Sequence, residues 1–334
     1  MLLATCHLLI SGCASTPLIE NSHSNIAWPP PPDKAKIRFI KAISKTEDLV
    51  RIEKGGWLKR AWVFLAGEES ETEFVAPYGV TADKHGNTFV ADRDTREIFS
   101  FNLRSGKSSS FFFETEDPED YPIGIGIAKN IYVTYPNSGL VRVFSAKGAL
   151  IAEFGKDADL KRPTGIAINE DNSLVYVVDT LGHDIKVFDL EGKLLFTFGK
   201  RGDKDGEFNF PTHIFAGDGG TIYVTDELNF RVQAFTPDGN FIFKFGKIGT
   251  VPGTIQSPKG VAVDSDGNIY IVDAMADSVQ VFDRGGKLLL LFGGNGSEDG
   301  QFEGPAGMFI DKDDRIYITD LYNKRVQVFQ YLKD

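Results

Sequence analysis

Six copies of one unit, recurring every 43 to 47 residues and each readable as four short strands, predict an all-β fold, a six-bladed β-propeller. Two patterns carry this. The segments VVDTLGHDIKVFD, VTDELNFRVQAFT, IVDAMADSVQVFD and ITDLYNKRVQVFQ begin at residues 177, 224, 271 and 318, which spaces Asp179, Asp226, Asp273 and Asp320 by 47 residues each. Weaker copies precede them: VADRDTREIFSF with Asp92, and VTYPNSGLVRVF, where Tyr135 takes the aspartate's place. A phenylalanine follows each of the six positions by nine residues (Phe101, Phe144, Phe188, Phe235, Phe282, Phe329). Upstream of each stands a Pro-x-Gly, except in the fourth copy, where Pro211 is followed by His213 in the glycine's place.

Within a unit the strand boundaries follow from the turns. In the fifth copy, Gly260–Asp264, Asn268–Asp273, Ser278–Asp283 and Leu288–Phe292 are separated by the clusters SDG, AMAD and RGG. The innermost strands (GIAIN, GVAVD) are small and apolar, as crowding around an axis requires. Blades are expected to start at about residues 77, 122, 163, 211, 258 and 305. The chain ends at Phe329-Gln-Tyr-Leu-Lys-Asp, which leaves the sixth blade without an outer strand. The run IRFIKAI at residues 37–43 is expected to fill that place and close the ring, removing an open blade edge.

The strings FGKRGDKDGEF-x-x-P, from Phe198, and DELNFRVQAF, from Asp226, resemble the NHL repeat, and the resemblance covers roughly residues 74–334. It implies a propeller that serves binding. Related propellers include zinc-dependent amidating lyases and lactonases, which implies an alternative: a metal-dependent hydrolase or lyase with its site at the central channel.

Strand direction alternates within a blade. Loops leading into the first strand and loops between the second and third strands therefore share one face, called the top here. The aspartates and the Pro-x-Gly segments lie on it, and residues 44–76 are expected to fall there as well. That insertion contains GGWLKRAWVFLAGEE, whose Leu58, Ala61, Trp62 and Leu65 have helical spacing. Trp57 and Trp62 stand beside Lys59 and Arg60, a pairing common at binding hot spots. The candidate binding face is accordingly Trp57, Trp62, Tyr78, His213, Lys259 and Tyr322. A protein or peptide ligand is the expected partner, and the propeller is expected to be monomeric.

Bulk properties narrow the classes. A net charge of −11 argues against a nucleic-acid binder, because phosphate contacts need a basic face. Both cysteines, Cys6 and Cys13, lie in the first thirteen residues, so the repeats contain no disulfide, thiolate nucleophile or cysteine metal site. The stretch Leu9-Ile10-Ser11-Gly12-Cys13 resembles a bacterial lipobox, so residues 1–13 read as a lipoprotein signal segment, and the resemblance implies acylation of the Cys13 thiol and cleavage that makes Cys13 the new N-terminus. No Lys or Arg precedes the apolar core, so translation is expected to begin upstream. Ala14 after the cysteine implies the outer membrane by the same resemblance. A lipid anchor is then the sole membrane contact. Residues 14–36, with Pro29 to Pro32, read as a stiff tether between anchor and propeller.

The repeated aspartates Asp92, Asp179, Asp226, Asp273 and Asp320 read as structural: a carboxylate ending a strand caps its own turn or pairs with a nearby arginine, here Arg231 or Arg325. DSDGN from Asp264 and DKDDR from Asp311 resemble openings of calcium loops, but their twelfth positions are Met275 and Tyr322 rather than glutamate. His7 and His23 lie outside the repeats and His85 on the opposite face, which leaves His183 and His213 on the top. Two histidines are too few for a three-histidine centre. No catalytic residue, metal or cofactor is therefore assigned, and a non-enzymatic scaffold is the leading expectation.

Overall fold

The computed structural model describes residues 26–49, 73–115 and 117–333. Six antiparallel sheets surround a central axis. Blade one runs outward through Pro77–Ala82, Asn87–Asp92, Glu97–Asn102 and Lys107–Phe112. The inner strands of blades two to six are Ile125–Ile127, Pro163–Asn169, Pro211–Ala216, Pro258–Val263 and Pro305–Ile310. Blade six holds only three strands from its own repeat. Its fourth is Ile37–Ile43, antiparallel to Arg325–Tyr331, with Ile37 opposite Tyr331 and Ile43 opposite Val326. The ring is closed by the N-terminal strand, as the missing outer strand of the sixth repeat predicts.

Blade six gains a fifth strand that the sequence reading missed. Ala27–Trp28 pairs with Arg38 and Ile37, and the Trp28 indole lies 5.6 Å from the Phe292 ring and 5.8 Å from Phe329. The tether read over residues 14–36 is corrected to this extent: from Ile26 onward the chain is part of the propeller. The prolines do not extend as a rod, because the Asp33 amide donates to the Pro30 carbonyl and turns the chain there. The insertion is corrected likewise at its start. Thr46–Leu49 is a 3-10 turn, and Leu49 is buried in the apolar cluster between blades six and one, at the flank of the ring. Residues 50–72, with the helix read there and with Trp57 and Trp62, lie outside the described residues, as does Cys13.

Second and third strands are covered on both sides by neighbouring blades, so their burial does not alternate, although the third strands include polar residues. Ile269–Asp273 and Ser278–Phe282 are buried throughout. Outer strands are covered on one side only, and Phe241–Phe245 alternates accordingly. The recurring phenylalanine is the tie between blades. Five of the six pack on a phenylalanine of the preceding blade's outer strand: Phe111–Phe144 at 5.2 Å, Phe154–Phe188 at 4.8 Å, Phe198–Phe235 at 5.0 Å, Phe245–Phe282 at 5.1 Å and Phe292–Phe329 at 5.2 Å. At the sixth interface the closing strand presents Ile43 to the cluster around Phe101 instead. Gly239, at φ +79°, shows why the outer turns carry glycine, since a Cβ there would come within 2.6 Å of the Phe198 ring.

Candidate functional site

The top face is built on the repeated aspartates, and these are sequestered. Asp92, Asp179, Asp226 and Asp320 are fully buried and Asp273 nearly so. Each carboxylate closes the second strand and accepts amides from the loop leading into the first strand of its own blade: Val75 and Ala76 on Asp92, Lys161 and Arg162 on Asp179, Asn209 on Asp226, Gln256 and Ser257 on Asp273, Glu303 on Asp320. Charge is balanced differently by blade. Arg231 Nε lies 2.7 Å from Asp226, Arg325 Nε 2.8 Å from Asp320, and Lys186 Nζ 3.2 Å from Asp179. Blade two, which lacks the aspartate, supplies it from the other side of the clasp. Asp120, fully buried in the lead-in loop, sits 3.0 Å from Arg142, whose guanidinium lies 4.1 Å from the centre of the Tyr135 ring.

Three long lead-in loops share one geometry. Arg201 bridges to Phe208, Ile248 to Ile255 and Asn295 to Phe302, each in parallel, and the second residue of each pair is fully buried. The following blade clasps the loop from its third strand. Gln233, Gln280 and Gln327 each accept a loop glycine amide (Gly206, Gly253, Gly300) and donate to a loop carbonyl (Glu207, Thr254, Gln301). Arg231 and Arg325 add three backbone carbonyls apiece.

At the axis the inner strands leave a cavity of about 40 Å³, lined by Tyr78, Gly124, Thr164, Thr212, His213 and Gly307 among others. That is room for a few water molecules, far below the hundreds of Å³ of an ordinary ligand pocket. The glycines are dictated by blade crowding: a Cβ on Gly165 would lie 2.7 Å from the Thr212 carbonyl. Threonine hydroxyls stitch neighbouring blades around this neck, Thr225 to the Lys259 carbonyl at 2.8 Å and Thr319 to the Tyr78 carbonyl at 2.8 Å, the latter joining blade six to blade one.

His213 replaces the fourth glycine and turns its ring over the axis, where it stacks on Tyr78 of the opposite blade with centroids 5.7 Å apart and planes 21° apart. Desolvation, aided by the Lys259 charge, pushes its pKa down to about 3, so the imidazole is neutral. Among the described residues, its Nδ1 and the Thr212 hydroxyl have no hydrogen-bond partner. Lys259 Nζ pairs with Glu227 at 2.6 Å on the rim. Tyr78, His213 and Lys259 thus converge at the channel mouth, while Tyr322 stands apart on blade six, exposed on its loop. His183 is separately engaged: its Nδ1 accepts the Phe210 amide at 3.2 Å, and burial lowers its pKa. Among the described residues no three of His, Cys, Asp and Glu stand together as metal ligands. The turn carboxylates likened to calcium loops already accept protein donors, Asp264 from Asp266, Asn268 and Tyr270, and Asp311 from Asp313, Arg315 and Tyr317.

The two ends of the ring differ in polarity. Among the described residues, Val75, Leu181, Leu228, Ile248, Val251, Met275 and Tyr322 are exposed on top loops. The remaining exposed large hydrophobic side chains lie on outer strands, and no turn of the opposite end carries one. That end has a polar cavity of about 140 Å³ between blades one and six, lined by Asp83, Lys84, Gly86, Arg104, Asp311, Lys312 and Asp313. Leu181, Leu228, Met275 and Tyr322 share one repeat position, two residues after the buried aspartate. Sequence reading found only Tyr322 among them, although the alignment of the four repeats displays all.

Fold, clasped loops and stitched neck define a six-bladed β-propeller carrying an NHL repeat. The sequence family described as 6-bladed beta-propeller matches residues 218–290, and that described as NHL repeat matches residues 302–329. Over 80 residues, 24% of this chain, the sequence is 32% identical to Protein brain tumor of Drosophila melanogaster, and the match spans 8% of that protein's length. Among solved structures, selenomethionine-substituted virginiamycin B lyase from Staphylococcus aureus is similar with a TM-score of 0.59 at 14% identity, covering 89% of this chain and 100% of that one. An auxiliary nutrient binding protein from Bacteroides thetaiotaomicron is similar with a TM-score of 0.58 at 14% identity, covering 78% and 70%. At these identities the likeness to the solved structures is one of fold.

Proposed function

We propose that the protein is a non-enzymatic binding module that presents its top face to a protein or peptide partner, held at the bacterial envelope by lipid on Cys13. The single observation that supports this is the concentration of exposed apolar side chains on top loops, against none on the turns of the other end among the described residues. Contiguous exposed apolar surface costs solubility and commonly marks an interface. The scaffold beneath is rigid, since buried aspartates, arginines and glutamines pin each loop, and preorganised loops lose little entropy on binding.

A comparative pull-down from envelope extract tests the reading. Leu181→Asp with Leu228→Asp should abolish capture, whereas Leu195→Asp with Ile242→Asp on outer strands should not. Equal recovery by both variants, or loss only in the second, refutes it. The alternative of a metal-dependent hydrolase or lyase would draw on His183 and His213, of which the first already serves the Phe210 amide. Stoichiometric metal in the purified protein would favour that alternative.

A further inference from the structure

We propose that Ile248, Val251, Met275 and Tyr322 form a docking surface on blades five and six for a basic amphipathic protein segment. The inference rests on the top face being the binding face and adds where on it the partner sits and what its chemistry is.

The three long lead-in loops are an internal control. They have the same parallel bridge, the same buried residue and the same glutamine clasp. At the bridging position blade four has Arg201 and blade six Asn295, where blade five has Ile248. Three residues on, they have Lys204 and Glu298, where blade five has Val251. The loop geometry therefore accepts charged and polar side chains at both positions, and folding does not demand the apolar pair. Yet Ile248 is 61% exposed and Val251 62%. Val251 is also held outward: its amide and carbonyl both bond the Thr254 hydroxyl, and Gln280 ties the next turn down.

The loop that carries these side chains is tied to two turns that display further exposed ones. The amide of Ala274 bonds the Ser257 carbonyl, which joins the lead-in loop to the Ala274–Asp277 turn that displays Met275, 72% exposed. Asp277 then grips the blade-six loop through the Gly304 amide and Asn295. Tyr322, 67% exposed, packs beside Gly304 and bonds the Glu303 carbonyl. The result is a row of four exposed apolar or aromatic side chains on loops that backbone and Asp277 hydrogen bonds tie to one another.

Charge selects the partner. On the blade-six flank, Glu298, Asp299 and Glu303 are exposed and form no side-chain hydrogen bond or ion pair among the described residues. The flanking cations Lys247 and Lys324 leave these carboxylates in excess, and the chain's net charge of −11 adds a long-range attraction for cations. Lysine or arginine beside an apolar face meets both features.

Three labelled peptides test this by fluorescence anisotropy with the full-length protein: an amphipathic Leu/Lys peptide, its Leu/Glu counterpart, and a Ser/Lys peptide of equal charge. The Leu/Lys peptide should bind best. Val251→Asp with Met275→Asp should weaken it about tenfold or more, the size of losing hot-spot contacts. Glu298→Lys with Glu303→Lys should weaken it severalfold and flatten its salt dependence. Equal binding of the Leu/Glu or Ser/Lys peptide, or indifference to Val251→Asp with Met275→Asp, overturns the proposal. So would concentration-dependent dimerisation abolished by Val251→Asp, which would make the occupant a second copy. If Leu181→Asp with Leu228→Asp alone removes binding, the top-face reading survives and this row does not. If neither pair matters, both fail.

Discussion

Replacing Asp320 with alanine separates a structural carboxylate from a ligand. The side chain is fully buried and receives five hydrogen bonds from four residues: the Glu303 amide, Asn323 twice, Arg325 Nε and Gln327. Removing it leaves the Arg325 guanidinium, also buried, bonded only to the Ser297, Glu298 and Gln301 carbonyls, without a countercharge. Breaking a buried pair from one side costs about 3–5 kcal/mol. Asp92 in blade one is the comparator, because among the described residues it accepts only backbone amides, from Val75, Ala76, Asp94 and Thr95. Asp92→Ala strands neutral donors and should cost about 1–3 kcal/mol. Urea denaturation should therefore rank Asp320→Ala below Asp92→Ala, and Asp92→Ala below wild type. A thermal melt should show Asp320→Ala lower than wild type by roughly 6 °C or more. A loss under about 1 kcal/mol for Asp320→Ala, or a larger loss for Asp92→Ala, would refute the clasp and return the aspartates to consideration as a site.

Phe39→Ala, in the closing strand and edge-on to Phe329 at 5.6 Å, should cost about 3–5 kcal/mol in denaturant unfolding, and wild-type behaviour would show that closure lies elsewhere. His213 takes its proton near 6.5 when unfolded but at about 3 in the fold, so the folded state holds fewer protons between those values and loses stability as pH falls through that window. In melts from pH 7 to 4, His213→Gly should shallow this decline relative to wild type; parallel slopes would place the acid sensitivity elsewhere, His183 included. Cys13→Ser should abolish lipid labelling and release the protein into the soluble fraction, and unchanged membrane retention would sink the anchor.

Blade number, strand order and ring closure were legible because a propeller repeats its constraints: each second strand must end where its carboxylate can hold the chain leading into the first. The signal fails where a blade solves the same problem differently. Blade two moves the carboxylate to Asp120, fifteen residues before Tyr135, so a search in register sees only a missing aspartate. Trp28 was unreadable for another reason, since a proline run looks extended until Phe292 and Phe329 supply a surface for the residue before it. Of the residues expected on a binding face, Tyr78, His213 and Lys259 meet at the channel mouth. Ile248 and Val251 are not legible as surface residues, because an apolar residue in a repeat suggests core, and the burial of Ile255 in the same loop shows that the core position is already filled.

Ile37 lies opposite Tyr331, almost the whole length of the chain away, and that pairing sets the order of events during synthesis. The early strand must wait, with Phe39 uncovered, until Arg325–Tyr331 has been made, and contacts so distant in sequence are slow to form. An interrupted product that stops short of Arg325 can stack its earlier blades yet never cover this strand. The exposed strand then advertises incompleteness to proteases and chaperones. The closing strand thus acts as a receipt of completion, and only a chain that extends through Tyr331 can bury it.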